Sequence, residues 1–176
     1  MIRGIAGRSR SRFTFSFRAI EGQIDRAALR TTLTYQLTPW MSVGIEYNPK
    51  ADDVAPLANL RLVGETRRRP AIMVGTSSDR IGTPSGQSYY VTVAKDLASW
   101  TAVPVAPYVG VAYGTYEDKA RVIGGINVRL GERFSSLAIF DGVHLHPTLT
   151  YSHGRHGLSL ILARSKHPGL SYNLRF

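Results

Sequence analysis

Pro168-Gly-Leu-Ser-Tyr-Asn-Leu-Arg-Phe176 decides the fold. Leu170, Tyr172, Leu174 and Phe176 fall on one parity; Ser171, Asn173 and Arg175 fall on the other. A period of two marks a β-strand with one apolar and one polar face. The stretch closes on a bare aromatic, Phe176.

The same period recurs upstream. Phe13, Phe15 and Phe17 oppose Thr14, Ser16 and Arg18. Leu29, Leu33, Tyr35 and Leu37 oppose Arg30, Thr32, Thr34 and Gln36. Pro39-Trp40 interrupts, because proline cannot donate to a ladder. Met41, Val43, Ile45 and Tyr47 then resume against Ser42, Gly44, Glu46 and Asn48, which makes a hairpin. Alternating runs continue to the end of the chain, with 134–141 ambiguous in parity. The count is about twelve strands, with ten possible, and no helical periodicity competes. Twelve strands of about 9–11 residues leave about five residues per connection. The whole chain, 1–176, reads as one all-β domain, an antiparallel up-and-down barrel. Residues 1–11 are expected to be a disordered basic segment.

Connection lengths alternate. Those near Pro39, Arg68, Glu132 and Gly154 are short, whereas most of those near Glu21, Ala51, Gly82 and Glu117 are longer. Residues 97–104 are a long exception on the first side, and 141–142 a short exception on the second. Short turns on one side and longer loops on the other are the habit of membrane barrels.

The terminal strand, with its final Phe176, resembles the closing strand of bacterial outer-membrane β-barrel proteins. The 37–47 hairpin resembles their periplasmic turns. That resemblance implies assembly-machinery contact through the Phe176 strand and a setting of outer-membrane lipid and lipopolysaccharide. Residues 75–84, 89–96 and Phe140-Asp-Gly142 are loosely similar to YjbH-type barrels. That family is associated with exopolysaccharide production in Gram-negative bacteria.

Composition narrows the field. No apolar run approaches the roughly 20 residues of a membrane helix, a test blind to alternating strands. The absence of cysteine excludes disulfides and thiolate metal sites. The formal charge of +10 fits solvated loops and lipopolysaccharide contact, or else an anion-favouring lumen or a nucleic-acid surface. Residues 1–10 are basic but have no apolar segment behind them, so no secretory signal is read there. Either a signal was removed, or the start lies elsewhere, or the barrel reading fails.

Barrel and sandwich both alternate, and strand ends separate them. Tyr35, Trp40, Tyr47, Tyr89, Tyr113, Tyr151, Tyr172 and Phe176 sit near ends, as in a membrane girdle. The opposite parity supplies the expected lumen lining: Arg18, Arg30, Glu46, Arg61, Glu65, Tyr90, Arg129, His144, His146 and Arg175. Twelve strands imply a backbone diameter of roughly 24 Å and a bore of about 10 Å or less.

Lumen arginines would select anions such as acidic sugars. The same arginines, paired with Glu46, Glu65 and Asp96, would instead brace the interior, and bracing is the favoured reading. His144 and His146 lie two apart on one face and could share a metal, but they lack an evident third ligand, so polar filling is favoured and neither metal nor cofactor is expected. Ser152 and His153 suggest a lipid hydrolase, yet neighbours on a strand point to opposite faces. The expected function is therefore non-enzymatic: a narrow porin-like channel, or an envelope accessory protein linked to polysaccharide. A lipid-modifying barrel and a soluble nucleic-acid-binding β-protein are the alternatives, and nucleic acid is not the expected partner.

Overall fold

In a computed structural model, which describes residues 12–101 and 103–176, the chain forms a closed barrel of twelve antiparallel strands. They are β1 (Phe13–Ile20), β2 (Leu29–Thr38), β3 (Met41–Asn48), β4 (Asp53–Val63), β5 (Ala71–Ser78) and β6 (Gln87–Ala94), followed by β7 (Val105–Gly114), β8 (Lys119–Arg129), β9 (Phe134–Phe140), β10 (Leu145–His153), β11 (His156–Ala163) and β12 (His167–Arg175). Each strand pairs with its sequence neighbours, and β12 returns to β1 with Phe17 opposite Tyr172. Phe13 and Phe176 exchange both backbone hydrogen bonds, at 2.9 and 3.0 Å, so the seam is paired to its edge. The basic segment 1–11 lies outside the described residues.

Helical structure is small but present, which the alternation does not announce. Single turns α1 (Asp25–Ala28) and α2 (Ala98–Thr101) sit inside connections. One turn of helix is too short to show a 3.6-residue period. The α2 turn occupies the long 97–104 connection that broke the length alternation.

The apolar parity faces outward. Leu160 is 59% exposed, Ile45 57% and Val109 56%, while Glu46 and Asn48 on the opposite parity are 1% exposed. A sandwich would bury the first set and wet the second. The large exposed side chains also include Leu33, Val122, Leu149, Leu158 and Leu170, so the outer wall carries an apolar surface on many strands. Soluble monomers rarely expose contiguous apolar patches beyond a few hundred Å².

Aromatic residues collect at both ends of this wall. At the end holding Phe13 and Phe176, the terminal end, Phe13 stacks on Phe176 and leans on Tyr35, and Phe134 packs on Tyr151. Trp40 and Tyr172 belong to the same end. Tyr47, Tyr89 and Tyr113 lie toward the other, the far end. The turns after β2, β4, β6, β8 and β10 all fall at the terminal end. Those after β1, β3, β5, β7, β9 and β11 fall at the far end.

Candidate functional site in the barrel lumen

The inner parity of β10–β12 and β1–β3 is mainly polar, with Ile20 and Ile161 as exceptions: Thr148, Thr150, Ser159, Ser171, Asn173, Ser16, Arg18, Arg30, Thr32 and Glu46. Thr150 and Ser159 share a hydrogen bond of 2.9 Å across the β10–β11 pair. Arg18 and Arg30 are register partners on β1 and β2 and so stand directly opposite one another. Arg30 ion-pairs with Glu46, whose other oxygen accepts from Ser78 at 2.6 Å and Asn48 at 3.1 Å.

The inner parity of β5–β9 is different. Met73, Tyr90, Ala94, Ala106, Tyr108, Ala112, Ile123 and Ile139 make an apolar and aromatic wall. This departs from the polar interior expected of a membrane barrel. Two glycines explain how tyrosines fit there. A Cβ on Gly75 would stand 2.6 Å from Tyr90 Oη, and one on Gly125 would stand 2.5 Å from the Tyr108 ring. Each tyrosine therefore extends over a glycine on the adjacent strand. Tyr90 also donates to Asn59 Oδ1 at 2.5 Å, so its hydroxyl is satisfied.

Two chambers result. The larger, about 570 Å³, adjoins the β5–β9 wall and ends at Arg80, Glu117, Lys119 and Arg121 toward the far mouth. The smaller, about 220 Å³, is lined by Arg18, Arg26, Arg30, Glu46, His146 and Thr148 among others. Ser77, Ser78 and Arg80 belong to both walls.

The far mouth is crossed by a latch. Arg26, on α1 in the β1–β2 connection, is 4% exposed. Its guanidinium donates to the carbonyls of Thr83 at 2.7 Å, Asp79 at 3.1 Å, Arg80 at 3.2 Å and Gly86 at 3.4 Å, and to the Thr83 hydroxyl. The β5–β6 loop, 79–86, thus grips a side chain from a connection four strands away around the barrel. That loop is pinned in turn by Asp79, which accepts from the N–H of Arg80 at 2.7 Å and of Tyr116 at 3.2 Å. A second clasp joins it to the β7–β8 turn: Glu117 accepts from Arg80 at 2.5 Å and Arg121 at 2.6 Å. The hydrogen bonds from Arg80 and then Arg121 hold the Glu117 carboxyl down at about 2.

His146 ties two further loops. Its Nδ1 accepts the backbone N–H of Arg164 at 3.1 Å, so its proton sits on Nε2, which donates to Asp141 Oδ2 at 2.9 Å. Burial pushes Asp141 upward. The hydrogen bonds from His146 and from the N–H groups of His144 and Val143 outweigh it and hold the carboxyl below its ordinary range. His144 lies in the 141–144 connection, and among the described residues its Nδ1 has no partner. Burial, with Arg164 beside it, keeps His144 below its ordinary value. The two histidines do not converge on one point.

The remaining expected lining residues divide by height. Arg61, Arg129 and Arg175 are on inner parity but at the terminal end, all exposed. Arg129 pairs with Asp96 at 3.4 Å. Glu65 is not on a strand: it lies past the end of β4, exposed, and pairs with Lys95 at 3.1 Å. The parity count runs two residues too far because β4 ends at Val63, just after a register slip between Arg61 and Val63. Ser152 and His153 are exposed at the terminal end.

Sequence reasoning missed Arg26, Glu117 and Tyr108. Of the stretches singled out in sequence, only 75–84 reaches the β5–β6 loop. Comparison with protein-family models and with curated proteins returns no match.

Proposed function

We propose that this chain is a non-enzymatic outer-membrane barrel that serves as a narrow, porin-like conduit, latched at its far mouth. The observation that supports it is the exposed apolar outer wall, bounded at both ends by aromatic residues, around a lumen that holds the charge. On this reading the terminal end, with its Phe176 strand, faces the periplasm and meets the assembly machinery. The far end then faces outward, toward lipopolysaccharide.

The first test is the membrane itself. The refolded chain in detergent should show heat-modifiable gel mobility. Leu160→Arg, at the middle of β11 on the outer wall, should cost about 2–4 kcal/mol on refolding into vesicles. A chain that stays soluble without detergent, with no mobility shift, ends this reading. A DNA gel shift that weakens with salt would favour the soluble alternative.

The latch favours a second reading, an accessory role in polysaccharide export or anchoring, in line with the YjbH-type resemblance. Planar-bilayer recordings separate the two. The conduit reading expects small conductance in the natural chain and a severalfold rise in Arg26→Ala. A folded Arg26→Ala barrel that never conducts favours the accessory role.

A further inference from the structure

The smaller chamber holds more guanidinium than its carboxylates neutralise. Arg18 and Arg30 face each other on the β1–β2 pair, and like charges so placed repel. Arg26 enters the same chamber from α1. Glu46 is engaged by Arg30, Ser78 and Asn48. Asp141 serves His146 and two backbone N–H groups, and Asp79 two more. Arg26 spends its donors on carbonyls. Arg18 is left over: among the described residues it has neither an ion-pair nor a hydrogen-bond partner, and the Nε of Arg18 and of Arg30 are both enclosed without an acceptor. Residues 1–11 contain no Asp or Glu, so no carboxylate reaches the chamber from that segment.

A half-buried charge without a partner is costly. An oxyanion would supply both the missing charge and the missing acceptors, and guanidinium groups grip planar or tetrahedral oxyanions through paired N–H donors. We infer that the smaller chamber is an oxyanion-binding site, in which Arg18 and Arg30 hold the carboxylate or phosphate of a small organic anion. The larger chamber shares Ser77, Ser78 and Arg80 with it and gives room for the uncharged remainder of that molecule. Its 570 Å³ falls within the roughly 300–1,000 Å³ of small-molecule sites. Any part in passage rests on the conduit reading; binding itself does not.

The test is calorimetry on the refolded full chain in detergent, with glucuronate, inorganic phosphate and glucose as probes. Glucuronate should bind and glucose should not. Phosphate binding as tightly as glucuronate would show that the site reads the oxyanion alone; glucuronate binding tighter would show that the body is read too. Arg18→Gln should weaken glucuronate at least tenfold, whereas Arg129→Gln at the terminal end should leave it unchanged. Should Arg18→Gln not fold, the natural chain still decides: glucuronate should raise the temperature of its heat-modifiable transition above that in equal glucose. No heat and no thermal shift with either anion overturns the site, as does equal affinity in folded Arg18→Gln. Heat-modifiable mobility without ligand is read separately, so loss of the site and loss of the barrel reading are told apart.

Discussion

The two halves of the lumen solve the same problem by opposite means. Between β10 and β3, around the seam, polar side chains line the interior and several bond to one another, with Arg18 left over. Between β5 and β9, tyrosines lie over glycines and the wall is largely apolar. The first half is held by directional bonds that need every partner. The second is held by shape, which tolerates a lost polar atom but not an added methyl. Each half therefore fails in its own way.

The sharpest way to break the contrast is Glu46→Gln. It leaves Arg30 beside Arg18 with no carboxylate, and removing one partner of a buried pair costs about 3–5 kcal/mol. Urea unfolding in vesicles should show the loss, and a loss under about 1 kcal/mol would mean that water screens the pair in the lumen. Gly75→Ala comes next. Its Cβ would stand 2.6 Å from both the Ala58 carbonyl and Tyr90 Oη, an overpacking that costs about 1–3 kcal/mol in the same assay. Tyr90→Phe should be milder, about 1 kcal/mol, because Asn59 loses one neutral bond while the ring keeps its seat. If it proved costlier than Gly75→Ala, shape would not be the principle of that half.

The smallest effect is one of pH and lies at the mouth. Glu117 is depressed to about 2, from 4.5, by Arg80 and Arg121. A depressed carboxyl stabilises the folded form above its unfolded value and loses that contribution as pH falls through its folded one. The 79–86 loop should therefore loosen between about pH 4.5 and 2, seen as faster amide exchange there. Glu117→Gln should remove that dependence.

The strands, their order and the sides of the turns could be read in advance, because a period of two over most of the segments leaves little else to form. Mid-strand residues such as Arg18, Arg30 and Glu46 were legible for the same reason. Glu65 was not, since parity carries no information past the last paired residue. Nor was Arg26, whose partners lie 53–60 positions away in a loop. No local pattern encodes a meeting of two connections. Apart from Tyr90, the apolar half was also hidden, because Met73 and Tyr108 look alike in sequence whether they face lipid or lumen.

Arg26 and Glu117 fasten the far mouth with unlike chemistry. The crossbar clutches backbone carbonyls and a hydroxyl, none of which gains a proton in ordinary acid; the clasp relies on a carboxylate that does. Acid would thus undo one knot and spare the other, so the aperture would slacken on the β7–β8 side while still strapped from the β1–β2 side.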